Sequence, residues 1–266
     1  MQVLALGLPR CGTTSLTAAL ESDILNIKPT LHAFETVTNL SKFQLILDAF
    51  RLQGDENKAR RQALLHQVTD GYAACMESMN VVAGDLMDLY PEAKLVLNVR
   101  PPPKNGEPAG VAWARSCDGS VRFFSTWWGV LACWPLQRYR FWWYRYRLQT
   151  NIWRSKGVLA QAETPGWLES KGSAWMTVEF YENYLAWVQE EARKRGRDIL
   201  IWHLGMGWGP LCDFLDREAP PKSVPVPYLN ELATTKKRVR NYVRQGLQYW
   251  ALYSIILGGA WWLATI

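Results

Sequence analysis

The sequence predicts an α/β fold, a parallel sheet flanked by helices on both faces, with a hydrophobic helix at the C-terminal end. Three observations predict it. Residues 2–15, QVLALGLPRCGTTS, set a short apolar strand directly before a glycine-bounded loop that runs into a helix start. A second apolar run, Leu95 to Arg100 (LVLNVR), follows a helical stretch and reads as a strand buried on both faces. Tyr249 to Ile266, YWALYSIILGGAWWLATI, contains no charged residue. At 266 residues the chain forms one domain of ordinary size with a substantial core, plus a short appendage.

The first strand comprises Val3, Leu4, Ala5 and Leu6. After it, Gly7 and Gly12 let the backbone turn without Cβ clashes, and the amides of the loop and first helical turn converge on an anion. Arg10 adds a fixed positive charge. The spacing Gly7-x4-Gly12-Thr13-Thr14 approaches a Walker A loop, but Thr13 stands where that loop requires lysine. A kinase, ATPase or GTPase is therefore disfavoured, the more so because no acidic DxxG segment follows an apolar strand. The plain alternative is a strand-to-helix turn that holds no ligand.

Helix follows from Thr14 to Leu20, and Asn26 to Glu35 reads as a loop, with Pro29 stopping any helix. Two helices are expected at Ser41–Leu52 and Ala59–Leu65 around a polar GDENK turn, then another from about Met76 to Tyr90. Arg100 stands at the carboxyl end of its strand, where open α/β sheets bind ligands. PPPKNGEPAG, residues 101–110, is irregular, and helix resumes near Val111. Residues 122–156 are crowded with aromatics and arginines; Trp127, Trp128, Trp134, Trp142, Trp143 and Trp153 line a pocket for a flat apolar molecule or pack a membrane-facing surface. Core packing with a partial pocket role is preferred. An amphipathic helix is expected within Gly166–Glu191, a last core strand at Asp198–Trp202, and helix and loop in GWGPLCDFLDREAP.

Thirty Lys and Arg against 24 Asp and Glu give a net charge of +6, which suits anionic ligands or a membrane surface more than extended nucleic acid. No nucleic-acid motif is present, and the interleaved Arg, Tyr and Trp make only a weak single-strand platform. The five cysteines are scattered without metal spacing and read as reduced thiols, Cys11 as a stand-in for a small serine rather than a nucleophile. With three histidines, a His-based metal site is not expected; His66 and His203 read as structural. The uncharged C-terminal run would reach roughly 27 Å as a helix, close to a bilayer's hydrocarbon thickness. Lys236, Lys237, Arg238, Arg240 and Arg244 precede it, so it reads as a transmembrane tail anchor with the body facing the cytosol. A helix packed on its own domain or lying in the interface is the alternative. The chain then divides into a domain at 1–235, a basic juxtamembrane segment at 236–248 and an anchor at 249–266.

Pro9-Arg10-Cys11-Gly12-Thr13-Thr14 resembles the phosphosulfate loop of sulfotransferases, in which the cation sits inside the loop. With LHAFE, YPEAKLVLNVR, WARS, GWGPLCDFLDREAP and PVPYLNE in order after it, the chain resembles the P-loop-type sulfotransferases, and in particular a fungal sulfotransferase-like family, over residues 1–235. That resemblance implies a P-loop-type parallel sheet and 3′-phosphoadenosine 5′-phosphosulfate as co-substrate, without a metal. Pro9, Arg10, Cys11, Gly12, Thr13, Thr14 and Ser15 would cradle the phosphosulfate, and Arg100 and Ser116 would hold the 3′-phosphate. One departure stands out: PPPKNGEPAGVA separates Arg100 from Trp113, where relatives carry a compact Arg-Asp-Pro-x-x-Trp run.

Sulfuryl transfer relies on cations and amides at the phosphosulfate oxygens, as phosphoryl transfer does, so Arg10 is the expected stabiliser of the departing phosphate. A base must also accept the acceptor's proton at hydrogen-bond reach, and His32 and Glu35, on the segment after the first helix, are the candidates. The expected function is sulfuryl transfer to a hydroxyl of a small hydrophobic, secondary-metabolite-like acceptor. The alternatives are the same fold recruited for a non-sulfating step such as cyclisation or dehydration, and a tail-anchored scaffold contacting anionic lipid.

Overall fold

The computed structural model describes residues 1–77, 79–103, 105–120, 122–160, 176–229 and 231–265, without the side chains of residues 34, 231 and 232. In chain order it contains β1 (Val3–Ala5), α1 (Thr13–Glu21), β2 (Thr30–Leu31), α2 (Ala33–Thr38), α3 (Leu40–Arg51), α4 (Lys58–Thr69), β3 (Ala74–Met76) and α5 (Ala83–Leu89). It continues through β4 (Lys94–Asn98), α6 (Ala109–Asp118), α7 (Trp127–Cys133), α8 (Gln137–Ser155), α9 (Val178–Lys194), β5 (Ile199–Trp202), α10 (Gly209–Phe214) and α11 (Glu231–Ala264).

The five strands form one parallel sheet in the order β2-β3-β1-β4-β5. Alternate residues of each strand face opposite sides. Val3 and Ala5 pack with Leu16 and Leu20 of α1 and Leu211 of α10, while Leu4 and Leu6 pack with Phe50, Trp113, Tyr146 and Tyr184 from α3, α6, α8 and α9. Both faces of the sheet are thus covered, and each such fully buried large side chain contributes about 1.5–3 kcal/mol. The chain leaves β1, returns through β2 and β3 on one side, then crosses to β4 and β5 on the other. That reversal opens a crevice at the carboxyl end of β1.

Several expectations change at this level. The segment read as loop at 26–35 contains β2 and the start of α2, and the helix expected from Met76 begins instead as strand β3, with Met76 paired to Ala5. Strands of two and three residues are too short to display alternation. The expected strand at 95–100 ends at Asn98, which leaves Arg100 on the loop beyond. Of the helix expected within 166–191, residues 166–175 lie outside the described residues, and α9 begins at Val178, after the Thr177 cap.

The C-terminal expectation is corrected most. Helix α11 runs unbroken for 34 residues, and its first half packs on the body. At Gly246 a Cβ would meet the Ala132 carbonyl oxygen at 1.9 Å, and Trp250 Nε1 donates to Leu131 O at 2.8 Å, so helices α7 and α11 touch closely. Among the described residues no helix is long and apolar enough to cross a membrane, so the transmembrane anchor and the membrane as partner are not supported. Lacking charge is not the same as being apolar: Tyr249, Tyr253, Ser254, Gly258, Gly259, Trp261 and Trp262 dilute the Leu and Ile residues of this stretch.

Candidate functional site

Two cavities meet at the carboxyl end of β1. The first, about 310 Å³, is lined by Arg10, Cys11, Gly12, Thr14 and Ser15 of the first loop, by Arg100 and Pro101 after β4, and by Ser116 of α6. The second, about 160 Å³ and mostly apolar, is lined by Pro9, Arg10, Ala33, Val37, Glu77, Phe124, Tyr139, Trp142, Arg145 and Tyr146, with Thr235, Arg238 and Tyr242 of α11. Arg10 lines both.

Why the loop holds its shape is a matter of close approach and buried amides. A Cβ on Gly7 would stand 2.1 Å from the Asn98 carbonyl oxygen, so only glycine fits between β1 and β4 there. Asn98, fully buried, accepts from Gly7 N at 3.0 Å through Oδ1 and donates from Nδ2 to Cys11 O at 3.1 Å. Asn80 Nδ2 donates to Gly7 O at 2.7 Å, Trp113 Nε1 to Pro9 O at 2.7 Å, and Tyr184 Oη to Leu6 O. Gly12, at φ 75°, caps α1 in the left-handed region that favours glycine. The first intrahelical bond runs from Leu16 N to Gly12 O at 2.9 Å, so the amides of Thr13, Thr14 and Ser15 have no intrahelical acceptor. They supply the positive end of the α1 dipole.

Around that end the side chains divide into engaged and waiting groups. Arg10 Nε donates to Ser116 Oγ at 3.2 Å and Nη1 to Thr235 Oγ1 at 3.4 Å, which points the guanidinium across the mouth shared by the cavities. Arg100 Nη1 donates to Arg10 O at 3.1 Å, and its own amide donates to Tyr181 Oη at 3.0 Å. The Thr14 hydroxyl is buried without a partner among the described residues. Ser15 Oγ accepts from Leu229 N at 3.0 Å, while Thr13 is buried and its carbonyl accepts from Thr17 Oγ1. A buried hydroxyl, helix amides without an intrahelical acceptor and two guanidiniums around one cavity are a donor set complementary to an anion. Ser116, beyond the long segment that follows Arg100, lies within hydrogen-bond distance of Arg10 and lines the same cavity as Arg100.

The environment of Cys11 disfavours a thiolate. Burial, with the Cys117 thiol nearby adding to it, pushes its thiol far above the ordinary range. The two candidate bases separate. His32 is buried, and its Nε2 lies 3.4 Å from Glu77 Oε2. Glu35 is exposed, accepts from the Tyr72 hydroxyl and lines neither cavity. Burial, with this Glu35 contact second, raises the Tyr72 phenol to about 12.

Glu77, which the sequence reading missed, is the carboxylate that lines the second cavity. It follows the three-residue β3 and has φ 63°, and Arg10 has φ 70°. Only four non-glycine residues among those described have positive φ, and these two share one cavity. Of the six tryptophans singled out in 122–156, Trp142 lines the cavity, Trp153 is core, and Trp127 and Trp128 stack on each other at the surface. Among the described residues no cluster of His, Cys, Asp and Glu is arranged to hold a metal ion.

The sulfotransferase domain family matches residues 2–235. The chain is also similar to the Ava biosynthesis cluster protein M of Aspergillus versicolor, 28% identical over 275 residues that cover 100% of this chain and 97% of that protein.

Proposed function

The chain belongs to the sulfotransferase domain family, and from that membership we propose that it moves a sulfuryl group from 3′-phosphoadenosine 5′-phosphosulfate to a hydroxyl of a small hydrophobic acceptor. The observation that carries the reading is that Arg10 lines both the polar cavity and the aromatic one, so a single guanidinium faces donor and acceptor together. The relative's place in a biosynthesis cluster supports an acceptor of the secondary-metabolite kind.

When bound, the donor supplies an activated sulfuryl group on a phosphate that becomes more anionic as the group departs. The α1 amides, the Thr14 hydroxyl and Arg10 hold that phosphosulfate, and Arg100 and Ser116 hold the 3′-phosphate. Ser116 and Thr235 fix the Arg10 fork, so little reorganisation is needed as charge develops. Phe124, Tyr139, Trp142 and Tyr146 hold an apolar acceptor and exclude water. The acceptor's hydroxyl proton passes to the Glu77–His32 pair, Glu77 being the member that lines the cavity.

Calorimetric titration with adenosine 3′,5′-bisphosphate tests the donor half. Saturable one-to-one binding that weakens in Arg100→Ala is expected. No heat from a folded sample would overturn the donor assignment and leave the fold recruited for a non-sulfating step.

A further inference from the structure

Inside the aromatic cavity one cation stands apart from the machinery just described. Arg145 belongs to α8 and lines the cavity with Tyr146 and Gln149. Its Nε and Nη1 are buried and have no hydrogen-bond partner among the described residues. The guanidinium lies 5.4 Å from the centroid of the Phe43 ring, a contact that offsets part of its lost hydration without supplying an acceptor. Glu77 lines the same cavity but bonds to neither buried nitrogen, and its carboxylate is 3.4 Å from His32. Burial lowers the Arg145 guanidinium to about 10, with Glu77 opposing the shift, so it is still a cation at neutral pH.

A buried guanidinium with two unmatched donors is costly to fold around, and folded chains seldom leave such groups unsatisfied. The Nε–H and an Nη1–H leave the planar guanidinium on different edges, so each offers a carboxylate oxygen one charge-assisted bond. Gln149, one helical turn on, adds an amide on the same face. Beside Arg10, Glu77, Thr235 and Arg238 the lining is mostly apolar, with Phe124, Tyr139, Trp142, Tyr146 and Tyr242 as its rings, so the complementary ligand is a flat apolar body with an anionic end.

We propose that the acceptor is an aromatic hydroxy acid whose carboxylate binds Arg145 while its hydroxyl faces Arg10 and Glu77. This rests on the aromatic cavity being the acceptor site, and it names the acceptor's class. Arg145 would then fix which hydroxyl of the acceptor reaches the donor, since the carboxylate anchors one end of the molecule.

The test uses the full chain saturated with adenosine 3′,5′-bisphosphate, titrated by tryptophan fluorescence with hydroxyphenylacetate, hydroxycinnamate and hydroxynaphthoate, each against its methyl ester. The wild type is expected to bind at least one acid about tenfold or more tightly than its ester, the scale of a charged hydrogen bond. Arg145→Gln removes that preference and leaves bisphosphate binding unchanged. Should Arg145→Gln lose bisphosphate binding, Arg145→Lys is the second variant: it keeps the charge without the fork and is expected to shrink the preference. Acids and esters bound alike by the wild type, or a preference that survives in the variants, would overturn the proposal. Failure of the bisphosphate to bind the wild type would instead strike the donor assignment, because the acid-to-ester comparison is then read without it.

Discussion

Glu77 and His32 show how much a single side chain's address decides. His32 was legible as a base candidate because a titratable imidazole follows the phosphate-loop helix. Glu77 was not, because it follows a strand of three residues whose pattern resembles a helix start, and only the sheet register places it at the crevice. Glu35 looked equivalent on the page, yet α2 carries it to the surface and against Tyr72. Glu77→Gln and His32→Ala are each expected to lower kcat by about a hundredfold or more, the scale of general-base loss, while bisphosphate affinity stays at the wild-type level. Glu35→Gln should leave kcat near wild type. Steady-state kinetics beside calorimetry checks all three, and a large kcat loss confined to Glu35→Gln would reverse the assignment.

At the scale of the element, the β1 loop is held by β4, α5's approach, α6 and α9 rather than by its own sequence. The apolar run of β1, its glycines and the strong β4 run made the strand–loop–helix unit readable, and with it the loop residues that line the polar cavity. What sequence could not reveal is that Asn98 bridges Gly7 and Cys11, because an asparagine at a strand end looks like a polar exit residue. Asn98→Leu is close in size but leaves Gly7 N and Cys11 O without their partners in a buried place. It should cost about 2–4 kcal/mol in denaturant unfolding and weaken bisphosphate binding beyond what the stability loss explains. A variant as stable as wild type with unaltered binding would mean that the loop keeps its shape without this bridge. Helix α11 is the opposite case: its uncharged end suggested a separate anchor, but Thr235, Arg238 and Tyr242 make its first turns part of the aromatic cavity.

Over the whole molecule, the thiols record how dry the interior is. Burial raises the thiols of Cys75 and Cys117 to about 12 and that of Cys133 to about 11, from 9.0. A group whose folded value is raised adds stability that is complete below its unfolded value and is lost as pH climbs through the folded one. The melting midpoint under reducing conditions should therefore hold steady near neutrality, fall above about pH 9 and keep falling toward pH 11 to 12. A midpoint constant across that window would contradict the burial described for these thiols. The sheet, covered on both faces, was readable from the continuous apolar runs of β1 and β4, whereas the meeting of two cavities at one arginine depends on residues from many distant parts of the chain. That meeting is the central claim. The most direct measurement of it is single-turnover transfer of labelled sulfate from 3′-phosphoadenosine 5′-phosphosulfate to an aromatic hydroxy acid, comparing wild type with Arg10→Ala. Label should reach the acceptor in the wild type and slow by about a hundredfold or more in the variant; transfer at equal rates in both, or none in a wild type that binds donor and acceptor, would contradict it.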